Sequence, residues 1–300
     1  MHKNLSFVTA ALVVAAGGVL AVPSTAGAAQ VFGVTTNNTL FAFDSATPGT
    51  ITTARAMSGF ASSNENIVGI DFRPATGQLY AIGSFGQLYT VNTTNGTLST
   101  VGAGVGAIDG TAFGFDFNPT IDRIRLTSTT NKNYVVNPDT GSLQLSATDL
   151  FYPPGDPNAG VDPNVVGSAY TNNFAGATSS QLYAIDAGLD ILATQANNTG
   201  VLSTVGPLLT VDTRDLVGFD IFSPVPGQAA NTAFASLTPA GGSVSNFYTI
   251  NLATGAATLV GQINGGTLVT DIAVVPVPEP TAAAALGLAG AATLARRRRR

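Results

Sequence analysis

Five segments of the chain repeat one pattern, and this repetition restricts the fold more than any other feature. Each segment has an apolar stretch, a short polar step, a glycine turn and a second apolar stretch. The turn glycines are Gly49, Gly96, Gly141, Gly200 and Gly255. Their spacings are close to the lengths of propeller repeats. A hairpin of this kind needs a positive φ at one turn position, which glycine adopts without steric cost, so we expect positive φ at these glycines.

A second hairpin precedes the glycine turn in four of the repeats. The stretches VGIDFRPATGQLYAIGS (68–84) and FGFDFNPTIDRIRLTS (113–128) each read as strand, proline-containing turn and strand, and residues 166–186 and 217–237 follow the same plan with longer turns. Each repeat therefore contains four short antiparallel strands, which is the composition of a propeller blade.

The two ends of the body complete one another. Residues 31–57 supply three strands, and LVTDIAVV (268–275) supplies a single strand at the far end. We therefore predict an all-β propeller whose ring is closed by N- and C-terminal strands. Its five four-stranded blades are residues 31–57 with 268–275, 67–102, 113–148, 165–206 and 216–262. A β-sandwich or split barrel is the alternative, because unequal spacings would also fit repeats that are not equivalent.

Composition and the N-terminus indicate export. Only 10% of the residues are charged, so the polar surface must consist of Thr, Asn, Ser and Gly. An uncharged apolar run over 5–22 is followed by Ala26, Gly27 and Ala28, the small residues of a secretory cleavage site. We therefore assign residues 1–28 to a signal peptide and residues 29–276 to a single body domain.

The residue types of the body exclude several classes of chemistry. The chain has no cysteine, and its only histidine, His2, lies in the signal peptide. Ser-His and Cys-His dyads, zinc sites and disulfides are therefore excluded, and any metal must be a hard cation on oxygen ligands. The body has six basic and sixteen acidic residues. Because nucleic acids bind to basic surfaces, a nucleic-acid partner is not expected.

Several motifs together resemble one known family. FGFDFNPTIDRIRLTS, NPDTG at 137–141, the GDPNAG loop at 155–160 and VGSAYTNN at 166–173 are similar to the domain-of-unknown-function 4394 (DUF4394) family over residues 31–275. The loop and AYTNN are the most specific part, and from AYTNN we include Tyr170 and Asn172 among the candidate ligand-binding residues. The resemblance implies a bacterial secreted propeller without an assigned activity.

The C-terminus resembles a sorting signal. Val277, Pro278, Glu279 and Pro280 precede an apolar segment and five arginines, as in the PEP-CTERM signal of Gram-negative bacteria. This resemblance implies export, processing by an exosortase, transient membrane contact through residues 277–300, and delivery to the cell surface or the medium. The apolar segment 281–295 is shorter than a full membrane span, which suits a temporary anchor better than a permanent one.

Three aspartates occupy equivalent places in the first strand of their repeats: Asp71, Asp116 and Asp220. The first strand of a blade lies at the central channel, so these carboxylates are candidates for a Ca²⁺ or substrate site, as in gluconolactonase-like propellers. The alternative, which we favour, is that they accept hydrogen bonds between blades. Ala169 replaces the aspartate in the fourth repeat, which weakens the case for a symmetric metal ring.

Arg125 stands where two other repeats have Tyr80 and Tyr183, at a position expected to be buried. A buried guanidinium must be paired, and we expect Asp116 or Asp122 as its partner. Arg73 and Arg123 add donors nearby. The three arginines could form an anion or sugar-acid site, but we favour a structural Arg–Asp pair at Arg125.

The longest insertion, residues 150–166, is the candidate binding loop. Prolines stiffen it, and its candidate contacts are an aromatic platform and oxygen ligands. These residues are Tyr152, Asp156, Asn158 and Asp162, with Asn164 as a further oxygen ligand. A packed loop that covers the end of the ring is the alternative.

Two functions follow from these features. We favour an exported, non-catalytic propeller that binds exopolysaccharide or another envelope component and needs no cofactor. The alternative is a secreted Ca²⁺-dependent hydrolase or lactonase that uses the three channel aspartates.

Overall fold

A computed structural model describes residues 28–208, 211–224, 230–264 and 267–276. These residues form five four-stranded antiparallel sheets, each sheet being one blade. Blade 1 contains β1 (Gln30–Thr35), β2 (Thr39–Asp44), β3 (Ile51–Ala56) and β20 (Val269–Val274). Blade 2 contains β4 (Ile67–Phe72), β5 (Leu79–Gly83), β6 (Leu88–Val91) and β7 (Leu98–Val101). Blade 3 contains β8 (Phe113–Asn118), β9 (Arg123–Ser128), β10 (Asn133–Val136) and β11 (Leu143–Ser146).

The remaining two blades follow in chain order. Blade 4 contains β12 (Val165–Tyr170), β13 (Leu182–Asp186), β14 (Ile191–Ala196) and β15 (Val201–Pro207), with a short 3-10 turn at Asn197–Thr199. Blade 5 contains β16 (Thr213–Phe222), β17 (Thr232–Pro239), β18 (Asn246–Ile250) and β19 (Ala257–Gln262). The five-bladed propeller predicted from the sequence is confirmed, and the sandwich alternative is not.

Ring closure depends on the C-terminal strand. β20 pairs antiparallel with β1, from Val31 opposite Val274 to Val34 opposite Asp271, and forms the inner edge of blade 1. The inner strands β20, β4, β8, β12 and β16 contact one another around the axis, and β16 lies directly against β20. The first and last strands of the body therefore close the ring in one blade, as the sequence predicted.

Close approach of the inner strands explains a glycine in four of them. A Cβ atom on Gly218 of β16 would lie 2.5 Å from the Ile272 nitrogen and 2.8 Å from the Asp271 Cα atom, both in the β20 backbone. Real Cβ atoms essentially never approach that closely. Because these contacts are with backbone, a side chain at this position would push the closing strand outward.

The glycine turns follow the prediction at four of five positions. φ is positive at Gly96, Gly141, Gly200 and Gly255, with values from 67° to 80°. Gly49 does not have a positive φ, so the prediction is wrong there. Its turn has a different geometry, with Pro48 and Gly49 as the central residues and the Thr50 N–H donating to the carbonyl of Thr47 at 3.0 Å.

The hydrophobic core lies mainly between neighbouring blades. Between blades 5 and 1, Phe41 stacks on Phe43, Phe43 meets Phe247 edge-on at 5.0 Å, and Phe247 stacks on Phe234. All four rings are at least nine-tenths buried. Since burial of one such side chain contributes about 1.5–3 kcal/mol, this aromatic series is a main source of stability at the contact between the first and last blades.

Within the described residues, no helix is long and apolar enough to span a bilayer.

Candidate functional site

The three aspartates predicted for the central channel lie there together. Asp71, Asp116 and Asp220 are on inner strands β4, β8 and β16, and each is about 1% exposed. One carboxylate oxygen from each residue lies within 4.8 Å of the other two. The fold therefore brings carboxylates separated by up to about 150 residues into one buried acidic cluster, the term used below for these three residues.

The aspartates accept hydrogen bonds from the inner strands of the next blades. Asp71 accepts from the Phe117 N–H at 2.8 Å, Asp116 from Tyr170 at 3.2 Å, and Asp220 from Val274 at 2.5 Å. In each case the donor is the residue directly after the position that corresponds to the aspartate in the next blade. The interpretation of these aspartates as acceptors between blades is therefore confirmed.

In blades 4 and 1 the position that corresponds to the aspartate is occupied by Ala169 and Ala273. An alanine side chain cannot accept a hydrogen bond. The aspartate of the following blade then accepts from the residue after itself: Ile221 donates to Asp220 at 2.6 Å, and Phe72 donates to Asp71 at 2.7 Å. Three carboxylates thus serve five inner-strand N–H groups. One of their six oxygens, Oδ2 of Asp116, is left without a hydrogen-bond partner among the described residues.

Burial raises the pKa values of all three aspartates in the acidic cluster, and repulsion from neighbouring carboxylates adds to the shift for Asp71 and Asp116. Loss of solvation, followed by the charge of Asp220, raises the pKa of Asp71 well above its ordinary value. Loss of solvation and then the charge of Asp71 have the same effect on the pKa of Asp116. Burial raises the pKa of Asp220 to about 6, and the backbone N–H groups of Val274 and Ile221 partly oppose the shift.

Two further residues of the channel were missed by the sequence analysis. Asp271 on β20 is 5% exposed, accepts from the Ile70 N–H at 2.8 Å, and has a pKa raised by burial. Asn173, just after β12, is 3% exposed, and a hydrogen bond from its side chain lowers the pKa of Asp220. Asp271 lies two residues before the equivalent position, so alignment of the repeats does not find it.

An apolar opening lies at the end of the channel where the inner strands begin. A cavity of about 60 Å³ there is lined by residues that include Val68, Phe113, Val166, Val217 and Thr270, one from each of the five blades. This volume is close to that of two water molecules. With each aspartate about 99% buried behind such an opening, a sugar or lactone has no room to reach the carboxylates.

Arg125 is buried as predicted, but its predicted partners are wrong. Its side chain is 2% exposed and donates to Asn133 Oδ1 at 2.7 Å, Asn198 Oδ1 at 2.9 Å and the Tyr170 hydroxyl at 3.4 Å. Asp116 stands opposite Arg125 in the β8–β9 register without forming an ion pair with it. The amide side chains come from the start of β10 in blade 3 and from the 3-10 turn of blade 4, which composition alone does not place near Arg125.

The Arg–Asp pair expected at Arg125 is formed by Arg73 instead. Arg73 bonds to both carboxylate oxygens of Asp122 and, at 2.7 Å, to Asp139, both in turns of blade 3. These partners and the Tyr80 hydroxyl raise the pKa of Arg73. Arg73 therefore joins blade 2 to blade 3. Arg123 lies at the surface, where it bonds to the side chain of Gln144 and the carbonyl of Asp122.

The loop 150–166 is held against the protein. Tyr152 is 3% exposed and donates to Asp186 at 2.8 Å, so the expected aromatic platform is wrong. Asp156 accepts from the backbone and hydroxyl of Thr204, and Asn158 donates to that hydroxyl at 2.9 Å. The loop also pairs with the outer edge of blade 4, where Phe151 bridges Val201.

The other predicted residues, Asp162, Tyr170 and Asn172, also form hydrogen bonds within the protein. Asp162 accepts from the side chain of Asn131 at 2.6 Å. Tyr170 is fully buried, and its hydroxyl donates to Asn197 at 2.5 Å. Asn172 has a φ of 59°, and its N–H donates to Asn231 at 2.8 Å. Each of these three contacts joins segments that are distant in the sequence.

A larger pocket opens between blades 5 and 1. Its volume is about 440 Å³, and its polar lining includes Thr35, Asn37, Thr39, Asn264 and Thr267. Phe41, the last ring of the aromatic series, and Ile51 give it an apolar floor. The sequence analysis did not find this pocket, because its lining comes from opposite ends of the chain and has no repeated motif.

The ring of five four-stranded blades defines a β-propeller, and its centre is a sealed acidic cluster instead of an open cleft. A family model described as domain of unknown function DUF4394 matches residues 39–273, so the chain belongs to that family. Among proteins of curated function, none matches the chain.

Two solved structures have a weak similarity to the chain. A chain of the hydrazine synthase of Kuenenia stuttgartiensis matches with 11% identity over 71% of this chain and 51% of that chain, at a TM-score of 0.40. The Dos1 propeller matches with 15% identity over 73% and 53% of the two chains, at a TM-score of 0.37. The present chain thus spans about half the length of each of these two.

The expected signal peptide and the sorting motif at Val277, Pro278, Glu279 and Pro280 lie outside the described residues, apart from Ala28. They remain predictions from the sequence.

Proposed function

We propose that the protein is an exported, non-catalytic propeller that binds a neutral polysaccharide of the cell envelope or matrix in the pocket between blades 5 and 1. The observation that carries this proposal is the chemistry of that pocket. Hydroxyl and amide groups of Thr35, Asn37, Thr39, Asn264 and Thr267 surround an apolar floor formed by Phe41 and Ile51. Sugars present the complementary surface, since their hydroxyls alternate with apolar C–H faces.

Size and charge support the same ligand class. A volume of about 440 Å³ lies within the range of about 300–1,000 Å³ that is usual for small-ligand sites, and suits one or two sugar units. Acidic residues outnumber basic ones in the body by sixteen to six, which disfavours anionic polymers at low salt. A neutral polysaccharide is therefore favoured over an acidic one.

The hydrolase alternative is not supported by the geometry. It requires Asp71, Asp116 and Asp220 to contact a substrate, yet each is about 1% exposed. A binding role needs no catalytic group and agrees with the absence of histidine and cysteine from the body.

Delivery to the cell surface is the second part of the proposal. The apolar N-terminal segment and the C-terminal Val277–Pro280 motif with its five arginines support export, exosortase processing and transient membrane contact. A chain tagged within an exposed turn, such as that at Gly77, should appear outside the cell with its tail removed. Deletion of residues 277–300 should abolish the processed form. An unprocessed chain retained in the cytoplasm would contradict this part.

Binding is tested with the purified chain by affinity electrophoresis in gels that contain a neutral glucan or an acidic uronate polymer. Ala54→Arg places a long side chain in the pocket, whereas Thr100→Arg makes the same change at an exposed position of β7 outside the pocket. Retardation by the glucan should be lost in Ala54→Arg and kept in Thr100→Arg. The binding proposal is wrong if the glucan does not retard the parent chain, or if both variants bind equally.

A further inference from the structure

Two oxygen atoms beside the channel are buried without a hydrogen-bond donor in the described part of the chain. One is Oδ2 of Asp116, which remains after the inner-strand N–H groups have been satisfied. The other is Oδ1 of Asn173, whose side chain is 3% exposed and hydrogen-bonds to Asp220. A buried unpaired acceptor costs about 1–3 kcal/mol, so two at one place indicate a missing partner.

The charge of the acidic cluster also lacks a partner. The ion pairs among the described residues involve Arg73 and Lys132, and neither reaches the cluster. Arg125, the nearest buried cation in sequence register, is bonded to amides and a hydroxyl. Buried carboxylates at this separation must be neutralised either by protons or by a bound cation.

We propose that the cluster binds one Ca²⁺ ion, with carboxylate oxygens of Asp71, Asp116 and Asp220 as ligands and the side-chain oxygen of Asn173 as a fourth. All the donors are oxygen, the atom that Ca²⁺ prefers.

The enclosed position of the ligands favours calcium over magnesium. Ca²⁺–oxygen distances are about 2.3–2.6 Å, so opposite ligands of one ion are separated by up to about 5 Å. The three carboxylate oxygens, all within 4.8 Å of one another, lie within that limit. Mg²⁺ requires about 2.0–2.1 Å and retains several waters, for which a sealed channel has little room.

The ion has a structural role in this position. Asp71, Asp116 and Asp220 belong to blades 2, 3 and 5, and Asn173 follows the inner strand of blade 4. One ion therefore links four blades at the axis. Because the opening above the cluster is narrow and apolar, the ion should enter during folding and exchange slowly afterwards.

The first measurement is the metal content of the full chain, by inductively coupled plasma mass spectrometry after extensive dialysis. We expect about one calcium per chain. The chain is then unfolded with a chelator and refolded with or without Ca²⁺, and the Tm is measured. At a Ca²⁺ concentration about 100 times the Kd, a rise of roughly 5–10 °C is expected.

Two variants locate the ion. Asp116→Asn removes the unpaired charged oxygen and should abolish both the bound calcium and the Tm rise. Asp186→Asn changes a carboxylate that is also fully buried but lies in blade 4, outside the channel, and should retain both. If Asp116→Asn fails to fold, the metal content and refolding of the parent chain decide the question.

Three outcomes would overturn the proposal. A parent chain with no stoichiometric metal and no response to Ca²⁺ would show that protons neutralise the carboxylates. A different bound divalent ion would contradict the assignment to Ca²⁺. Calcium retained by Asp116→Asn would place the ion elsewhere in the protein.

Discussion

Closure of the ring by β20 makes Gly218 a sensitive glycine of the inner strands, because its neighbours there are backbone atoms of the closing strand. In Gly218→Ala the new Cβ atom would lie 2.5 Å from the Ile272 nitrogen, whereas ordinary van der Waals contact begins near 3.4 Å. The β20 backbone must therefore move by about 0.9 Å, the difference between these distances. That movement also strains the hydrogen bond from Val274 to Asp220.

The expected loss of stability follows from these two effects. Overpacking costs about 1–3 kcal/mol, and a weakened buried hydrogen bond adds about 1 kcal/mol. For a domain of this size each kcal/mol lowers the Tm by about 2–4 °C, so Gly218→Ala should lower it by roughly 5–15 °C. Thermal unfolding followed by circular dichroism measures the shift, and hydrogen exchange should show faster exchange at Ile272 and Val274.

Gly167→Ala is the matched control for this experiment. Gly167 holds the same place in blade 4, but its nearest contacts would be side-chain atoms of Phe219 at 3.0 Å and Val217 at 3.2 Å. These distances are longer than the 2.5 Å at Gly218, so the neighbours need to move less and the Tm should fall less. An equal fall in both variants, or none in Gly218→Ala, would refute the argument from backbone approach.

Three other predictions concern charged groups. Arg73→Gln should lower the Tm by roughly 2–8 °C, since it breaks the ion pairs that join blades 2 and 3. A Tm equal to that of the parent chain at low salt would contradict this prediction. In chain refolded without metal, the free energy of unfolding should fall as pH rises from about 4 to 6. Burial raises the pKa of Asp220 to about 6, so the folded state binds this proton more tightly than the unfolded state does. Urea titrations at several pH values test the sign of this change. Arg125→Lys should lower the Tm through loss of the forked contacts to Asn133 and Asn198, and unaltered melting and amide exchange would show that these contacts contribute nothing.

The repeats predicted the fold well because blade geometry is local. Each four-stranded unit is encoded by consecutive hairpins, and the unpaired strand at 268–275 could only complete the first blade. The glycine turns were equally local, with Gly49 as the one exception. The equivalent places of Asp71, Asp116 and Asp220 followed from the same register.

Contacts between blades were harder to predict. Arg73 and Arg125 both lie on inner hairpins, and the sequence does not show which turns of the next blade face them. Asp122 therefore pairs with Arg73, while Arg125 bonds to Asn133 and Asn198. Tyr152 was expected to be an aromatic platform of the binding loop, but a tyrosine with Asp186 within reach can be buried with its hydroxyl satisfied.

Pairing of β1 with β20 also has a consequence for how the chain folds. Val31 and Val274 are partners in one sheet although almost the whole body separates them in sequence. This contact carries a large loop-closure entropy and can form only after the last strand has been synthesised. Until then the β1 edge and the apolar face between blades 5 and 1 remain open, so a truncated or stalled chain would expose an aggregation-prone strand edge.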